Sequence, residues 1–189
     1  MEISEWTELY HQERVEKDRF FREHPRSPIP FEQKRNFKNL DYYPPDISNR
    51  FELELHRHSD KQAVQIEDTG GNMRDMIRWG EFRFKIGNVE CTLQTYKSDS
   101  HEERLFIPFK DATSGKETYG AGRYLDLDYQ KDRTPEGKWI LDLNKAYNPW
   151  CAYSVNYVCP FVPIENWLKV PVYAGEKNYI FERGPKWAS

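Results

Sequence analysis

The chain has 189 residues, 31% of them charged with both signs interspersed, and a formal net charge of −3. A chain this long buries about 70% of its unfolded surface, enough for one hydrophobic core without disulfide or metal staples. The balance lacks the gathered basic excess of a nucleic-acid footprint, and no apolar run reaches the roughly 18 residues that span a bilayer, so neither nucleic acid nor a membrane is an expected partner.

The opening stretch, "MEISEWTELYHQERVEKD", is charged throughout and has no signal-peptide apolar core. The three cysteines are an odd count, which is not a disulfide framework and suits a reducing compartment. A cytoplasmic chain is expected. The same stretch reads as a helix. Ser4 suits an N-cap, and Trp6, Leu9, Tyr10, Phe20 and Phe21 share a stripe. Glu13–Lys17 and Asp18–Arg22 are spaced one turn apart, as intrahelical ion pairs would be. The helix ends at "HPRSPIPF", where each proline restrains the residue before it. Ser27 or Ile29 before Pro30 then opens one short turn through "FEQKRNF", and "YYPPD" is an extended connection.

From Phe51 the period becomes two. Phe51, Leu53 and Leu55 alternate with Glu52, Glu54 and His56, and in "QAVQIED" Val64 and Ile66 face inward. The clearest hairpin is "EFRFKIGNVECTLQT". Its turn, Gly87-Asn88, sets Ile86 against Val89, Phe84 against Cys91 and Phe82 against Leu93, with Lys85 facing Glu90 on the other side. "RLFIPFKD" is a strand whose Pro108 cannot donate a ladder bond, so an edge position or a bulge is expected. "DATSGKE" is a turn in which Asp111 or Thr113 bonds the backbone and Gly115 takes positive φ. "TYGAGRYLDLDY" returns as a strand, "TPEG" turns, and "KWILDLN" comes back beside it. Residues 145–168 are Pro-rich and aromatic, too apolar for a disordered tail, and read as an ordered loop over the sheet. "KVPVY" and "NYIFE" are read as last strands. The expectation is an α+β, mainly antiparallel β domain, barrel or sandwich-like, with an N-terminal amphipathic helix. It is a single domain over 1–189, with a helical arm at 1–45 and a β region at 49–183.

The segments "RSPIPFEQKRNFKNLDYYP", "FKDATSGKETYGAGRYLDLD" and "LDLNKAYNPWCAYSVNYVCPFVPIENWLKVPVYAGEK", in that order, resemble the prokaryotic family catalogued as domain of unknown function 1684. The family usually has phenylalanine at Leu143, arginine at Lys145 and proline at Trp150. The resemblance spans nearly the whole chain and implies one complete soluble domain. It carries no activity and no catalytic residue.

Arg123 is the residue that most needs explaining. Strand alternation places it on the apolar face with Tyr119, Ala121, Leu125 and Leu127, and a guanidinium cannot shed its proton there. Asp142 on the neighbouring strand, or Glu165 or Glu176 from the C-terminal segment, could meet it. Two readings stand: an ion pair tying that segment to the sheet, or a small anionic or polar ligand. The ligand reading draws on Arg123, Tyr119, Asp142, Asn144, Asn148, Cys151, Asn166 and Glu176. An enzyme at the same place would use Cys151 or Glu176 as its reactive group. A structural protein with no ligand is the third alternative. Cys151 and Cys159 lack the close spacing of a zinc knuckle, and His56 and His58 lie on the Glu-bearing outer face, so no metal site is expected. Two packed thiols, or a disulfide in an oxidising setting, fit the pair. Cys91 is a core thiol. No histidine follows His101, so a Cys-His site would need a partner from the early strands or the helix. "GAG" at 120–122 is followed by neither Lys-Ser/Thr nor a helix, and no cofactor is expected.

Overall fold

The computed structural model describes residues 3–179. Helix α1 (Ile3–Glu23) buries Trp6, Tyr10 and Phe21, spaced to lie on one side of the helix. Leu9, expected on that stripe, is exposed, and Ser4 lies inside the helix instead of capping it. The helix ends before the proline-rich turn, and Phe31–Gln33 forms one short 3-10 turn behind Pro30.

Among the described residues seven strands follow: β1 (Arg50–Leu53), β2 (His56–Glu67), β3 (Met73–Ile86), β4 (Val89–Lys97), β5 (Arg104–Phe109), β6 (Arg123–Asp128) and β7 (Trp139–Asp142). They form a five-stranded antiparallel sheet in the order β2-β3-β4-β5-β6 and a two-stranded sheet, β1-β7. Phe82, Phe84, Leu93, Leu105, Ile107, Leu125 and Leu127 from the large sheet meet Trp139, Leu141 and Leu143 in one core. The sheets face each other across that core and do not close into a barrel. The architecture is thus one N-terminal helix on a mainly antiparallel β structure. No helix among the described residues is long and apolar enough to cross a membrane.

The β3–β4 hairpin has the expected register: Ile86 opposite Val89, Phe84 opposite Cys91, Phe82 opposite Leu93 and Lys85 opposite Glu90. Other expectations change. The run from Phe51 breaks at Glu54 and Leu55, so β1 and β2 enter different sheets. β6 begins at Arg123; Tyr119 to Gly122 form a turn, closed by the Gly122 N–H bonding Tyr119 O at 3.0 Å. β7 does not return beside β6. The backbone of Tyr147 takes that edge, exchanging bonds of 2.9 and 3.0 Å with Tyr124, and β7 pairs with β1 instead. "KVPVY" forms no strand, bending at Lys169 and Val170, and residues 180–182 of "NYIFE" lie outside the described residues.

Pro108 is neither at a sheet edge nor in a bulge. β5 lies between β4 and β6, but its ladder to β4 shrinks to the single pair Tyr96–Phe106. The Asn166 side chain fills the resulting gap. Its Oδ1 accepts the Gln94 N–H at 2.7 Å, and its Nδ2 donates to Gln94 O at 2.9 Å and Pro108 O at 2.7 Å. A fully buried amide thereby replaces the ladder bond that proline cannot donate.

Candidate functional site

All but one of the residues singled out from the sequence fall into four groups. The first surrounds Arg123, which is 0% exposed. Its Nη2 donates to Asp111 Oδ2 at 3.0 Å and to Val172 O at 3.0 Å. Its Nη1 donates to Ala174 O and to Glu176 O, the latter at 3.1 Å. Only Nε–H lacks an acceptor. The carboxylate partner is therefore Asp111, not Asp142, Glu165 or the Glu176 side chain. β5–β6 pairing explains this. Phe109 is opposite Arg123, so the chain leaving β5 carries Asp111 past the guanidinium. Asp111 Oδ1 also accepts Thr113 N at 2.9 Å and Val172 N at 3.1 Å, which fixes its orientation. Gly122, with φ +100°, lets this corner close: a Cβ there would lie 2.7 Å from Phe109 O.

The second group centres on Glu176, which is 1% exposed. Its carboxylate accepts the Asn148 N–H at 2.8 Å, the Tyr153 hydroxyl and the Lys17 ammonium. Gly175, with φ +76°, presses the backbone against residue 146, where a Cβ would sit 2.5 Å from Ala146 O. The Glu176 N–H then bonds Ala146 O at 2.9 Å. Burial, together with Glu176, pushes the Tyr42 and Tyr153 phenols up.

The third group ties α1 to β7. Asp142 accepts the Tyr10 hydroxyl, and its Oδ1 accepts both N–H groups of Asn144, at 3.0 Å from the backbone and 2.9 Å from the side chain. Asn144 Oδ1 accepts the Asp46 N–H at 2.9 Å. The fourth group is Tyr119, Cys151 and Cys159, with the Tyr119 hydroxyl 3.7 Å from Cys151 Sγ. Asn166 stands apart, between β4 and β5.

A cavity of about 140 Å³ opens between α1 and the β structure and joins the second and third groups. Tyr10, Arg14, Lys17, Tyr42, Asn144 and Glu176 line it, with Glu13, Lys145, Ala146 and Tyr147. Lys17 pairs with Glu176, and Lys145 reaches Glu13 at 3.9 Å. Arg14 pairs with no carboxylate among the described residues. Its guanidinium lies 4.4 Å from the Tyr42 ring centre, and its Nη2 is shut off from solvent with no hydrogen-bond partner. Burial lowers its pKa. The cavity wall thus holds a cation with no ion pair of its own, which feels the Glu176 and Glu13 carboxylates only at longer range and leaves one donor unmet.

A larger groove, about 800 Å³, runs between the end of α1 and Ser154–Tyr157. Its Lys34 and Arg22 already donate to the carbonyls of His24 and Lys38. It contains none of the singled-out residues, so the smaller cavity is the better candidate.

Sequence reading missed Tyr10, Arg14 and Lys17. The signal was present: they extend the buried stripe of Trp6 and Phe21, and polar residues inside an apolar stripe mark a buried polar contact. The expected intrahelical pairs are replaced by longer-range ones. Asp18 accepts the Leu40 N–H at 2.9 Å, and Arg22 donates to Lys38 O. Among the described residues no cluster of three or more His, Cys, Asp or Glu could hold a metal. His58 Nε2 instead lies 2.7 Å from Gln94 Oε1.

Residues 35–177 match the sequence profile described as "Protein of unknown function (DUF1684)". The chain is also similar to an uncharacterised protein of Haloarcula marismortui solved by solution NMR. The two are 34% identical with a TM-score of 0.71, over 96% of this chain and 98% of that one. No curated protein matches the chain.

Proposed function

From the premise that the chain belongs to the DUF1684 family of unknown function, we propose that it is a small-molecule-binding β protein whose pocket is the cavity between α1 and Glu176. The observation that carries this reading is Arg14: a solvent-excluded guanidinium donor with no acceptor, beside a cavity in which the other cations have carboxylates. A buried donor left unmade costs about 1–3 kcal/mol, and an anionic ligand oxygen would recover it. The ligand class is the one expected from the sequence, small and anionic or polar. The place differs, because Arg123 is spent on Asp111 and three carbonyls. The cavity volume is well below the roughly 300 Å³ of drug-sized pockets, so a single carboxylate or phosphate with a short stem fits and a nucleotide does not.

The test is a thermal-shift screen of inorganic phosphate and short mono- and dicarboxylates on wild type and Arg14→Gln. A ligand that binds only the folded state raises Tm with its concentration. The expected result is an anion-dependent rise in wild type that Arg14→Gln abolishes. Equal rises in both proteins, or none in wild type across the series, would overturn the reading.

A further inference from the structure

Cys151 and Cys159 pack beside Tyr119 and Tyr124, and neither lines the cavity. Cys159 Sγ accepts the backbone N–H of Cys151 at 3.4 Å and a hydrogen bond from the Cys151 thiol. The two sulfurs are therefore neighbours, although seven residues separate them in the chain. Cys159 is anchored on both sides of its peptide unit. Its N–H donates to Thr69 Oγ1 at 3.1 Å, and its carbonyl accepts the Thr69 N–H at 2.9 Å. Arg74 bonds the adjacent Val158 carbonyl at 3.0 Å, which fixes a cation one residue away. Between the cysteines, Ala152, Tyr153 and Ser154 are buried and Val155 is 95% exposed.

These contacts make the two thiols unequal. The hydrogen bond from Cys151 outweighs burial and lowers the Cys159 thiol, whereas the same bond raises Cys151. The thiolate is the attacking form of cysteine. The backbone N–H of Cys151, donating to Cys159 Sγ at 3.4 Å, stabilises a thiolate there, so Cys159 is the attacking sulfur and Cys151 the resolving one. Cys159 is buried and Cys151 half-buried, which favours an oxidant as small as hydrogen peroxide over a bulky disulfide reagent. Cys91 provides an internal contrast: it lies on the core face of the β3–β4 hairpin, where burial raises its thiol.

We propose that Cys151 and Cys159 form a dithiol site that hydrogen peroxide oxidises to an intrachain disulfide. The Cys159 thiolate attacks one peroxide oxygen and the O–O bond breaks. Cys159 becomes a sulfenic acid, and the departing hydroxide takes up a proton to leave as water. Cys151 sulfur then attacks Cys159 sulfur. The S–S bond forms, the S–O bond breaks, and the second hydroxide leaves as water with the Cys151 proton. The peroxide gains two electrons and the dithiol loses two. A thiol reductant reverses the product by exchange.

The test treats the reduced full chain with equimolar hydrogen peroxide. The expected result is a fall from three free thiols to one, Cys91, with two hydrogens lost from the intact mass, no oxygen retained, and recovery with dithiothreitol. Cys151→Ser should stop at a Cys159 sulfenic acid that dimedone traps, and Cys159→Ser should lose the fast reaction. Retention of all three thiols, or oxygen accumulating on wild type without a disulfide, would overturn the proposal. So would equally fast reaction of oxidised glutathione and peroxide, because the size argument would then fail. The wild-type thiol count stands even if a variant folds poorly.

Discussion

Two buried ion pairs hold the same stretch of chain, residues 172–176, and they close differently. Arg123 and Asp111 are both 0% exposed and surrounded by backbone. Lys17 and Glu176 also meet in the interior, but the lysine side chain remains 31% exposed at the mouth of a cavity. The first pair is sealed between strands of one sheet and the segment laid across them. The second spans a helix–sheet junction, where a curved surface meets a pleated one and leaves space. A sealed charge can only support the fold. A charge at a cavity can also meet a ligand, which is why the functional reading rests on the second region.

Substitutions can sharpen that contrast. The largest effect is expected from Arg123→Leu, which strands the Asp111 carboxylate and three carbonyls. Breaking a buried pair costs about 3–5 kcal/mol, and urea unfolding should show a loss of that size. A loss below about 1 kcal/mol, the range of exposed pairs, would mean the first region is not sealed. Lys17→Met should cost less, about 1–2 kcal/mol, because solvent partly screens the lysine and Tyr153 and Asn148 still bond Glu176. A loss equal to that of Arg123→Leu would erase the difference between the two regions.

Asp68 gives a smaller effect that depends on pH. Burial alone would raise its carboxyl, but the N–H groups of Asn72 and Gly70 and the Arg74 guanidinium outweigh it and hold the group below the usual carboxylate range. Its contribution is therefore complete above the ordinary carboxylate pKa and disappears as pH falls through the lower native value. Asp68→Asn should be less stable than wild type at neutral pH, and the two should converge in acid. A constant offset across the titration would contradict this. Lys85→Ala should change urea unfolding least, within error, because both members of the Lys85–Glu90 pair stand in solvent.

The parts legible from sequence are those whose partners are close in the chain. Gly87-Asn88 determines the β3–β4 register because a two-residue turn leaves one way to pair the flanking strands. Alternation also shows that Arg123 points inward. It does not show what lies across from it, because Asp111 enters only through the β5–β6 register and Val172 through a segment with no period at all. β7 reads correctly as a strand, yet its partner is β1, far earlier in the chain. On α1, Glu13 and Lys17 have ideal helical spacing, yet Lys17 turns to the buried Glu176, where burial strengthens the contact, and the exposed Glu13 meets Lys145 at 3.9 Å. The cavity was not legible for the same reason: its walls come from the helix, residue 42, residues 144–147 and residue 176.

The crossing of residues 172–176 over Arg123 has a consequence for how the chain is made. Synthesis runs from the N-terminus, so Arg123 leaves the ribosome 49–53 residues ahead of its carbonyl acceptors. At about 5–20 residues per second, the guanidinium waits roughly 3–10 s with Asp111 as its only native partner. Lys17 waits longer still, because Glu176 is 159 residues away. Residues 172–176 must emerge before Arg123 gains its carbonyl acceptors and before Lys17 and Glu176 can pair. Both sites therefore stay open until residues 172–176 have been made, and the helix and the sheet must wait for them.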